Sequence, residues 1–342
     1  MLHKLRLAVV GLGRVSKSHL PAIRELSDQI KLVALVSRDE GKLRQEAEKC
    51  EGIHTYTSYD DAVNDPDIDA FLLLLPHDLH AEYSIKALRA GKHVLVEKPM
   101  AMNVQEAEEM AEAANRGKVT LMIGQSRRFY QPVMESIRQV RKKAIGELIN
   151  INAMLLAHMD KPAADWWKDE SKIGGFIIPL WGSHILDYIQ WAYGRAPKSV
   201  YAQGHSNNPN WSGEDEVAIS MNFGDGQMAN VWMSFNAGCR PTDEVGLTGK
   251  RIWSTQNSIY ERYLIGSNGL LHLKDEYELS LNGEKLETCE STFPNFKWQL
   301  EEFANAIREG REPLASGREI IQVMKVMDGC FESMRTGQVV QL

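Results

Sequence analysis

The first 38 residues constrain this 342-residue chain more than any other stretch. Leu5 to Val10 is an apolar run, Gly11-Leu12-Gly13-Arg14-Val15-Ser16 follows it, a helical stretch comes next, and Lys31 to Val36 is apolar again before Ser37-Arg38. Strand, glycine turn, helix and strand in that order make a dinucleotide-binding βαβ unit. The absence of a Cβ permits the tight turn at Gly11 and lets a pyrophosphate approach at Gly13. There it would meet the positive end of the following helix. Arg14 and Val15 belong to the same cofactor-binding turn. Ser16 stands where the usual fingerprint has its third glycine, and its small side chain is compatible with close packing of helix on strand.

The end of the second strand bears on which dinucleotide is bound. An NAD-binding unit normally places a carboxylate here to accept the ribose 2′-hydroxyl, whereas this chain has Ser37-Arg38. A hydroxyl followed by a guanidinium suits a 2′-phosphate, so NADP is expected in preference to NAD. Asp39 and Glu40 come too late to replace the acid cleanly. The other readings of Arg38 are stacking on the adenine and projection into solvent.

With 43% hydrophobic and 25% charged residues, the chain reads as an ordinary soluble protein with enough length for two cores. A formal charge of -7 argues against a nucleic-acid partner, and the basic run from Arg138 to Lys143 reads as the solvated face of a helix. The cysteines at 50, 239, 289 and 330 have neither metal-ligand spacing nor the density of a disulfide scaffold, which fits a reducing cytoplasm. The opening apolar run is too short for a signal segment and no stretch approaches a membrane span, so no membrane association is expected.

Along the chain, Asp39 to Lys49 reads as a polar helix, and Phe71 to Leu75, ended by Pro76, as a strand buried on both faces. A helix from Ala81 to Ala90, a strand from His93 to Val96, a helix from Val104 to Arg116 and a strand from Thr120 to Gly124 continue the alternation. Such alternation predicts a doubly wound parallel sheet of Rossmann type over residues 1–124. Beyond about residue 147 the period changes. Val217, Ile219, Met221 and Phe223 alternate with polar residues, Gly224-Asp225-Gly226 turns the chain, and Ala229, Val231, Met233 and Phe235 alternate again. Further strands at 263–265, 270–273 and 278–281 and helices carrying Leu300, Phe303, Ala304 and Ile307, then Arg318 to Met334, predict an α+β domain over 125–342 with a mainly antiparallel sheet.

The strand at 93–96 runs into Glu97-Lys98-Pro99, at the carboxyl end where doubly wound sheets hold ligands. A desolvated lysine amine there can donate a proton or stabilise an alkoxide; the alternative is a structural Lys-Glu ion pair. His77 and His80 are spaced like a metal pair, but no third ligand is evident nearby, and no metal is expected.

Gly11-Leu12-Gly13 with His19 downstream, Pro76-His77-Asp78-Leu79-His80 and Glu97-Lys98-Pro99 together resemble the Gfo/Idh/MocA oxidoreductase family. So do Gly124-Gln125-Ser126-Arg127-Arg128-Phe129, the Ile145-Gly146-Glu147-Leu148 turn and the stretch from Trp166 to Asp187. The resemblance covers essentially the whole chain. It implies an NAD(P)-dependent dehydrogenase or reductase of sugars, polyols or related cyclic alcohols. The second domain would carry a large open sheet whose exposed face supports homodimers or homotetramers. It also implies that Lys98 lies beside the nicotinamide and the reacting carbinol, that Glu97 and Lys98 contact the cofactor ribose, and that Leu75, Pro76, His77 and His80 line the same cleft.

The family's second signature is a glycine cluster, then an aspartate, then a histidine four residues later. Gly174 to Asp187 matches it in length but has Phe176 for the third glycine and Leu180 for the aspartate. His184 stands in register as the acid or base, and an imidazole with a pKa of about 6.5 suits proton transfer near neutrality. With Leu180 apolar, either the substrate differs or another acid substitutes: Asp187 orients His184 or else pairs within its own helix, and Asp160 and Asp169 are weaker candidates. Trp166, Trp167, Trp181, Tyr188 and Trp191 cluster here, and sugar C–H faces pack on aromatic rings. Trp181 and Trp166 are expected to contact substrate, Arg128 and His158 to bind hydroxyls or a carboxylate, and Trp191 to be core.

Three functions fit these residues. The first is hydride transfer using Lys98 and His184 for the proton. The second is a retained NAD(P) whose transient oxidation drives elimination or glycoside cleavage, and the third is a non-catalytic NADP-binding regulator.

Overall fold

The computed structural model describes residues 4–159, 161–237, 258–287 and 295–342; Asp160, Cys239 and Cys289 lie outside them. The chain divides into two compact units, Met1–Phe129 with Phe293–Met324 and Tyr130–Thr292 with Lys325–Leu342.

The first unit is built on six parallel strands, β1 (Leu5–Val10), β2 (Ile30–Val36), β3 (His54–Tyr56), β4 (Ala70–Leu73), β5 (His93–Glu97) and β6 (Leu121–Gly124). Their order in the sheet is β3-β2-β1-β4-β5-β6. Helices α1 (Ser16–Glu25), α2 (Glu40–Ala47), α3 (Tyr59–Val63), α4 (His80–Arg89) and α5 (Val104–Gly117) connect them. All four residues of β4 are buried, as a central parallel strand covered on both faces requires. The order reverses between β1 and β4, and ligands of such sheets bind beyond the carboxyl ends at that switch point.

A division of the chain in sequence order at residue 124 leaves α9 (Asn295–Glu309) outside the first unit, whereas the structure places it within. Leu300, Phe303 and Ala304 share one core with Leu7, Val9, Leu20, Ile23 and Leu72. Burial of each such leucine or phenylalanine contributes roughly 1.5–3 kcal/mol, which is what draws the helix back to the sheet. The apolar stripe of α9 is visible in its sequence, but a stripe does not specify which core it covers.

The second unit holds a nine-stranded sheet. Its strands are β7 (Leu148–Leu156), β8 (Ser199–His205), β9 (Glu216–Gly224), β10 (Gln227–Ser234), β11 (Ile259–Gly266), β12 (Gly269–Lys274), β13 (Glu278–Leu281), β14 (Glu284–Lys285) and β15 (Val340–Gln341). The sheet order is β14-β13-β12-β11-β7-β10-β9-β8-β15, antiparallel except for the parallel pair β7 and β10. Alternation decides the faces. Val217, Ile219, Met221, Val231 and Met233 point into the core, while Met228 (43% exposed) and Trp232 (47% exposed) lie on the open face.

Helices α6 (Gln131–Arg141), α7 (Glu170–Ile173) and α8 (Ser183–Tyr193) belong to this unit. Helix α10 (Gly317–Thr336) gives its residues through Met324 to the first unit and the rest to the second. On α6 the charged side chains Arg138 and Arg141 are exposed, as the basic run predicts. Among the described residues no helix is long and apolar enough to cross a membrane.

Candidate active site

In the first unit the glycine turn closes as its composition requires. Gly11 has φ +92°, and a Cβ there would lie 2.3 Å from the Leu74 carbonyl oxygen, so a side chain is excluded by both conformation and space. Gly13 differs: a Cβ would meet nothing within 4 Å. Its missing side chain therefore serves no internal packing and leaves open space beside the N-terminus of α1. No side chain caps that terminus, and the positive end of a helix favours an anion. Ser16 Oγ donates to the Gly13 carbonyl at 2.6 Å, so the residue in the third glycine position fastens the turn. These features fit a dinucleotide pyrophosphate.

At the end of β2, Ser37 Oγ accepts from the Asp39 amide at 3.1 Å and Arg38 is exposed. Asp39 is the N-cap of α2: it accepts from the Lys42 amide at 3.0 Å and pairs with the Lys42 ammonium at 3.0 Å. The hydrogen bond from the Lys42 amide is the main cause of a carboxyl pKa below the ordinary value. This acid is committed to the helix end, which leaves Ser37 and Arg38 as the polar groups that follow the strand.

The end of β5 concentrates charge. Burial pushes the Glu97 carboxyl up, but the hydrogen bond and charge of His19, with Lys98 beside it, outweigh burial and hold it below the usual range. His19 is fully buried on α1, and its Nε2 lies 2.8 Å from Glu97 Oε1. Gly124 permits this crowding, because a Cβ there would come within 3.2 Å of Glu97 Cδ. Lys98 is brought down to about 8, first by burial and then by the charges of Arg127 and Arg14, while Glu97 opposes the shift. An amine in that range gains and loses a proton near neutral pH.

Not every expected cofactor residue offers a free group. His80 is fully buried, with Nδ1 at 2.7 Å from the Pro99 carbonyl and Nε2 at 2.9 Å from the Leu75 carbonyl. It braces the carboxyl ends of β4 and β5 against each other. His77 is buried with its ring 5.7 Å from that of His80, and Leu75 and Pro76 are half-buried.

Arg128, expected at the substrate, is 3% exposed, and its two terminal nitrogens each lie 3.0 Å from a carboxylate oxygen of Glu319. A bidentate pair of this kind fastens α10 to the segment after β6. The half-buried neighbour Arg127 is the arginine that acts electrostatically on Lys98. Sequence alone has no means of ranking two adjacent arginines.

In the second unit, Ile178–Gly182 forms a π turn that runs directly into α8. Such turns recur at functional sites because they shift the helical register locally. Leu180 is buried, Trp181 is half-buried, and His184 is 9% exposed. The Trp181 ring meets His184 edge to face at 6.5 Å and Tyr260 at 5.8 Å. Arg262, 1% exposed, lies over the Tyr260 ring at 4.1 Å and over Tyr188 at 5.0 Å, so Tyr188 belongs to the core beneath. Asp187, three residues beyond His184, is 2% exposed.

Phe176, in the third glycine position of the signature, stacks on Trp211 at 4.3 Å with a 10° interplanar angle. The chain has used that position for a core aromatic. Trp166 is half-buried and edge-on to buried Trp167 at 6.1 Å, and Trp191 is buried beneath Arg141. His158 is half-buried in a bridge with Asn236, while Asp169 caps α7 and pairs with Lys172 at 2.8 Å. Among the described residues no group of three His, Cys, Asp or Glu side chains is arranged to hold a metal.

Glu214 and Asp215 carry no functional signature in the sequence. Both are buried, and Asp215 collects the Asn208 amide at 2.8 Å, Trp211 Nε1 at 3.1 Å and Asn236 Nδ2 at 2.7 Å. Adjacent acids in a loop ordinarily signal solvent, and no local pattern distinguishes these two.

Residues 5–125 match the family model described as "Oxidoreductase family, NAD-binding Rossmann fold", and residues 137–342 match "Oxidoreductase family, C-terminal alpha/beta domain". The chain is 25% identical over 355 residues to scyllo-inositol 2-dehydrogenase (NAD(+)) of Bacillus subtilis, covering 100% of this chain and 97% of that protein. It is 26% identical over 337 residues to D-xylose 1-dehydrogenase (NADP(+)) 2 of Haloferax volcanii, covering 98% of each. The crystal structure of aldose-aldose oxidoreductase from Caulobacter crescentus complexed with glycerol superposes with a TM-score of 0.86 at 25% identity, over 99% of this chain and 100% of that one.

Proposed function

This chain belongs to the Gfo/Idh/MocA oxidoreductase family, and on that premise we propose that it transfers hydride between a nicotinamide and a carbinol or carbonyl of a sugar, polyol or related cyclic alcohol. The observation that carries the reading is Lys98. Its amine sits at the carboxyl end of β5, in the same unit as the open glycine turn, with a pKa brought down to about 8.

When bound, the nicotinamide would supply the hydride acceptor for the carbinol hydrogen, with the Gly11–Gly13 turn holding the dinucleotide pyrophosphate. The neutral Lys98 amine takes the hydroxyl proton as the C–O bond becomes a carbonyl; in reduction the ammonium returns it. Glu97 would hold the cofactor ribose, with His19 keeping its carboxylate charged and oriented. His184 is read as a further acid or base for the substrate, and half-buried Trp181 offers an aromatic face to a sugar ring. Ser37 and Arg38 support NADP over NAD, because Asp39, the nearer of the two acids that follow them, is occupied at the α2 N-terminus.

The open face of the nine-stranded sheet supports self-association as a homodimer or homotetramer. Trp232, Met228, Ile259 and Ile265 are each more than a third exposed there, and a monomer gains nothing from leaving them in water.

The test is a panel of scyllo-inositol, D-xylose, 1,5-anhydro-D-fructose and levoglucosan with NAD⁺ and NADP⁺, in both directions, followed at the nicotinamide absorbance and by product analysis. Net NADPH formation with one of these substrates supports hydride transfer. Substrate consumption without net absorbance change supports a retained cofactor, and tight dinucleotide binding with no consumption supports a regulator.

A further inference from the structure

Glu214 lies in the connection between β8 and β9 and takes part in nothing proposed so far. Its carboxylate accepts from the Phe176 amide through both oxygens at 3.1 Å and from the Ile178 amide through Oε1 at 2.9 Å. Its own carbonyl accepts from the Ile177 amide at 2.9 Å. One residue thus holds three consecutive amides of a segment 36 to 38 positions away.

These amides open the helical run that passes through the π turn Ile178–Gly182 into α8. The first amides of a helix have no acceptor within it, and Phe176 and Ile177 carry no side-chain acceptor. Glu214 supplies what the local sequence lacks, and a carboxylate at this end also meets the positive pole of the helix. Two glycines make room for it. A Cβ on Gly175 would come within 3.0 Å of Glu214 Oε2 and 2.6 Å of Phe331, and a Cβ on Gly213 would lie 2.5 Å from the Gly175 carbonyl carbon. Glu170 on α7 and Cys330 on α10 also face this carboxyl, and its neighbour Asp215 is turned to a different set of donors.

We propose that Glu214 is a positioning residue: it caps, from a distant part of the chain, the π turn that carries Leu180 and Trp181 and the first turn of α8 that carries His184, and so sets the geometry of the substrate-side groups. This rests on reading His184 and Trp181 as substrate-side residues.

Amide hydrogen exchange on the full-length protein tests the cap without reference to activity. In Glu214→Leu, peptides covering residues 176–184 should exchange about tenfold faster or more, as expected for loss of the side-chain acceptor of the Phe176 and Ile178 amides, while peptides covering 5–36 are unchanged. Glu214→Gln keeps one carbonyl acceptor and should stay within about threefold of the parent chain. In NADP⁺-dependent oxidation of scyllo-inositol or D-xylose, Glu214→Leu should raise the sugar KM and lower kcat with the NADP⁺ KM unchanged, and Glu214→Gln should restore most of both.

Unaltered exchange at 176–184 in Glu214→Leu would overturn the cap. Faster exchange with unchanged kinetics would overturn its role in positioning. If Glu214→Leu does not fold, Glu214→Asp, one methylene short, takes its place with the same expected pattern and the same contrary outcomes. His184→Asn separates the two ideas: full turnover in that variant removes the role given to His184, and the exchange result still decides the cap.

Discussion

His19 Nε2 donates to Glu97 Oε1 at 2.8 Å, joining α1 to the end of β5 across 78 residues of sequence. His19 is buried and Glu97 largely so, and the bond holds the charge on Glu97, which in turn raises the proton affinity of the adjacent Lys98. His19→Leu removes the donor and leaves a buried carboxylate poorly satisfied. The expected cost is about 2 kcal/mol, read from the denaturant midpoint. In the same variant Glu97 becomes easier to protonate, Lys98 loses part of its support, and the midpoint of the pH–rate profile should move below about 8. A profile identical to that of the parent chain would break the link between the two residues.

In the role proposed for it Lys98 would act as base only when neutral, and burial brings its pKa to about 8. Oxidation kcat/KM should therefore rise about tenfold per pH unit below that value and level off above it, with carbonyl reduction showing the opposite slope. Lys98→Met should lower turnover by about 10²–10⁴-fold. Dinucleotide should still bind, as measured by calorimetry, because the glycine turn proposed to hold the pyrophosphate is left intact. Parent-like turnover in Lys98→Met would remove this residue from the chemistry.

The two turn glycines should respond differently to alanine. At Gly11 the new Cβ would meet the Leu74 carbonyl oxygen at 2.3 Å at φ +92°, so Gly11→Ala should cost about 3 kcal/mol or more and lower the melting temperature by several degrees. At Gly13 the new Cβ meets no protein atom. Gly13→Ala should melt with the parent chain yet bind dinucleotide about tenfold or more weakly, since the methyl takes up space the pyrophosphate needs. Equal melting losses in the two variants would contradict this division.

Removal of the guanidinium at position 38 should act on one cofactor only. Arg38→Ala is expected to weaken NADP⁺ binding by about tenfold, the worth of a charge-assisted hydrogen bond, and to leave NAD⁺ nearly unaffected. Parallel titrations with the two dinucleotides decide it; equal losses would assign Arg38 to the adenine instead.

Trp232 is 47% exposed in the middle of the open sheet face. Trp232→Glu should place a charge in any self-interface and shift the mass measured by light scattering toward the 38.6 kDa of one chain. A parent mass unchanged by the substitution would move the interface elsewhere, and a parent already at 38.6 kDa would exclude self-association at that concentration.

Much of this protein is local enough to be legible in one dimension. Apolar period, glycine placement and turn residues are short-range, so the parallel sheet, the glycine turn, the β9–β10 hairpin and the position of Lys98 at a strand end follow from the residues in order. Alternation likewise separates the open face of the second sheet from its buried face.

What only tertiary structure decided are the pairings between residues far apart in the chain, because burial and charge are properties of surroundings that a linear pattern does not contain. Arg128 and Arg127 are neighbours in sequence, but a bidentate bond to Glu319 engages one and proximity to Lys98 gives the other its electrostatic role. His80 looks like a free imidazole until two carbonyls are found on its nitrogens. The stripe on α9 acquires a partner only in the core of the first unit, and Glu214 becomes a cap only because folding brings it to three amides without acceptors of their own. Sequence determined which groups could do chemistry, and the desolvation and hydrogen bonds imposed by the fold decided which of them remain available for it.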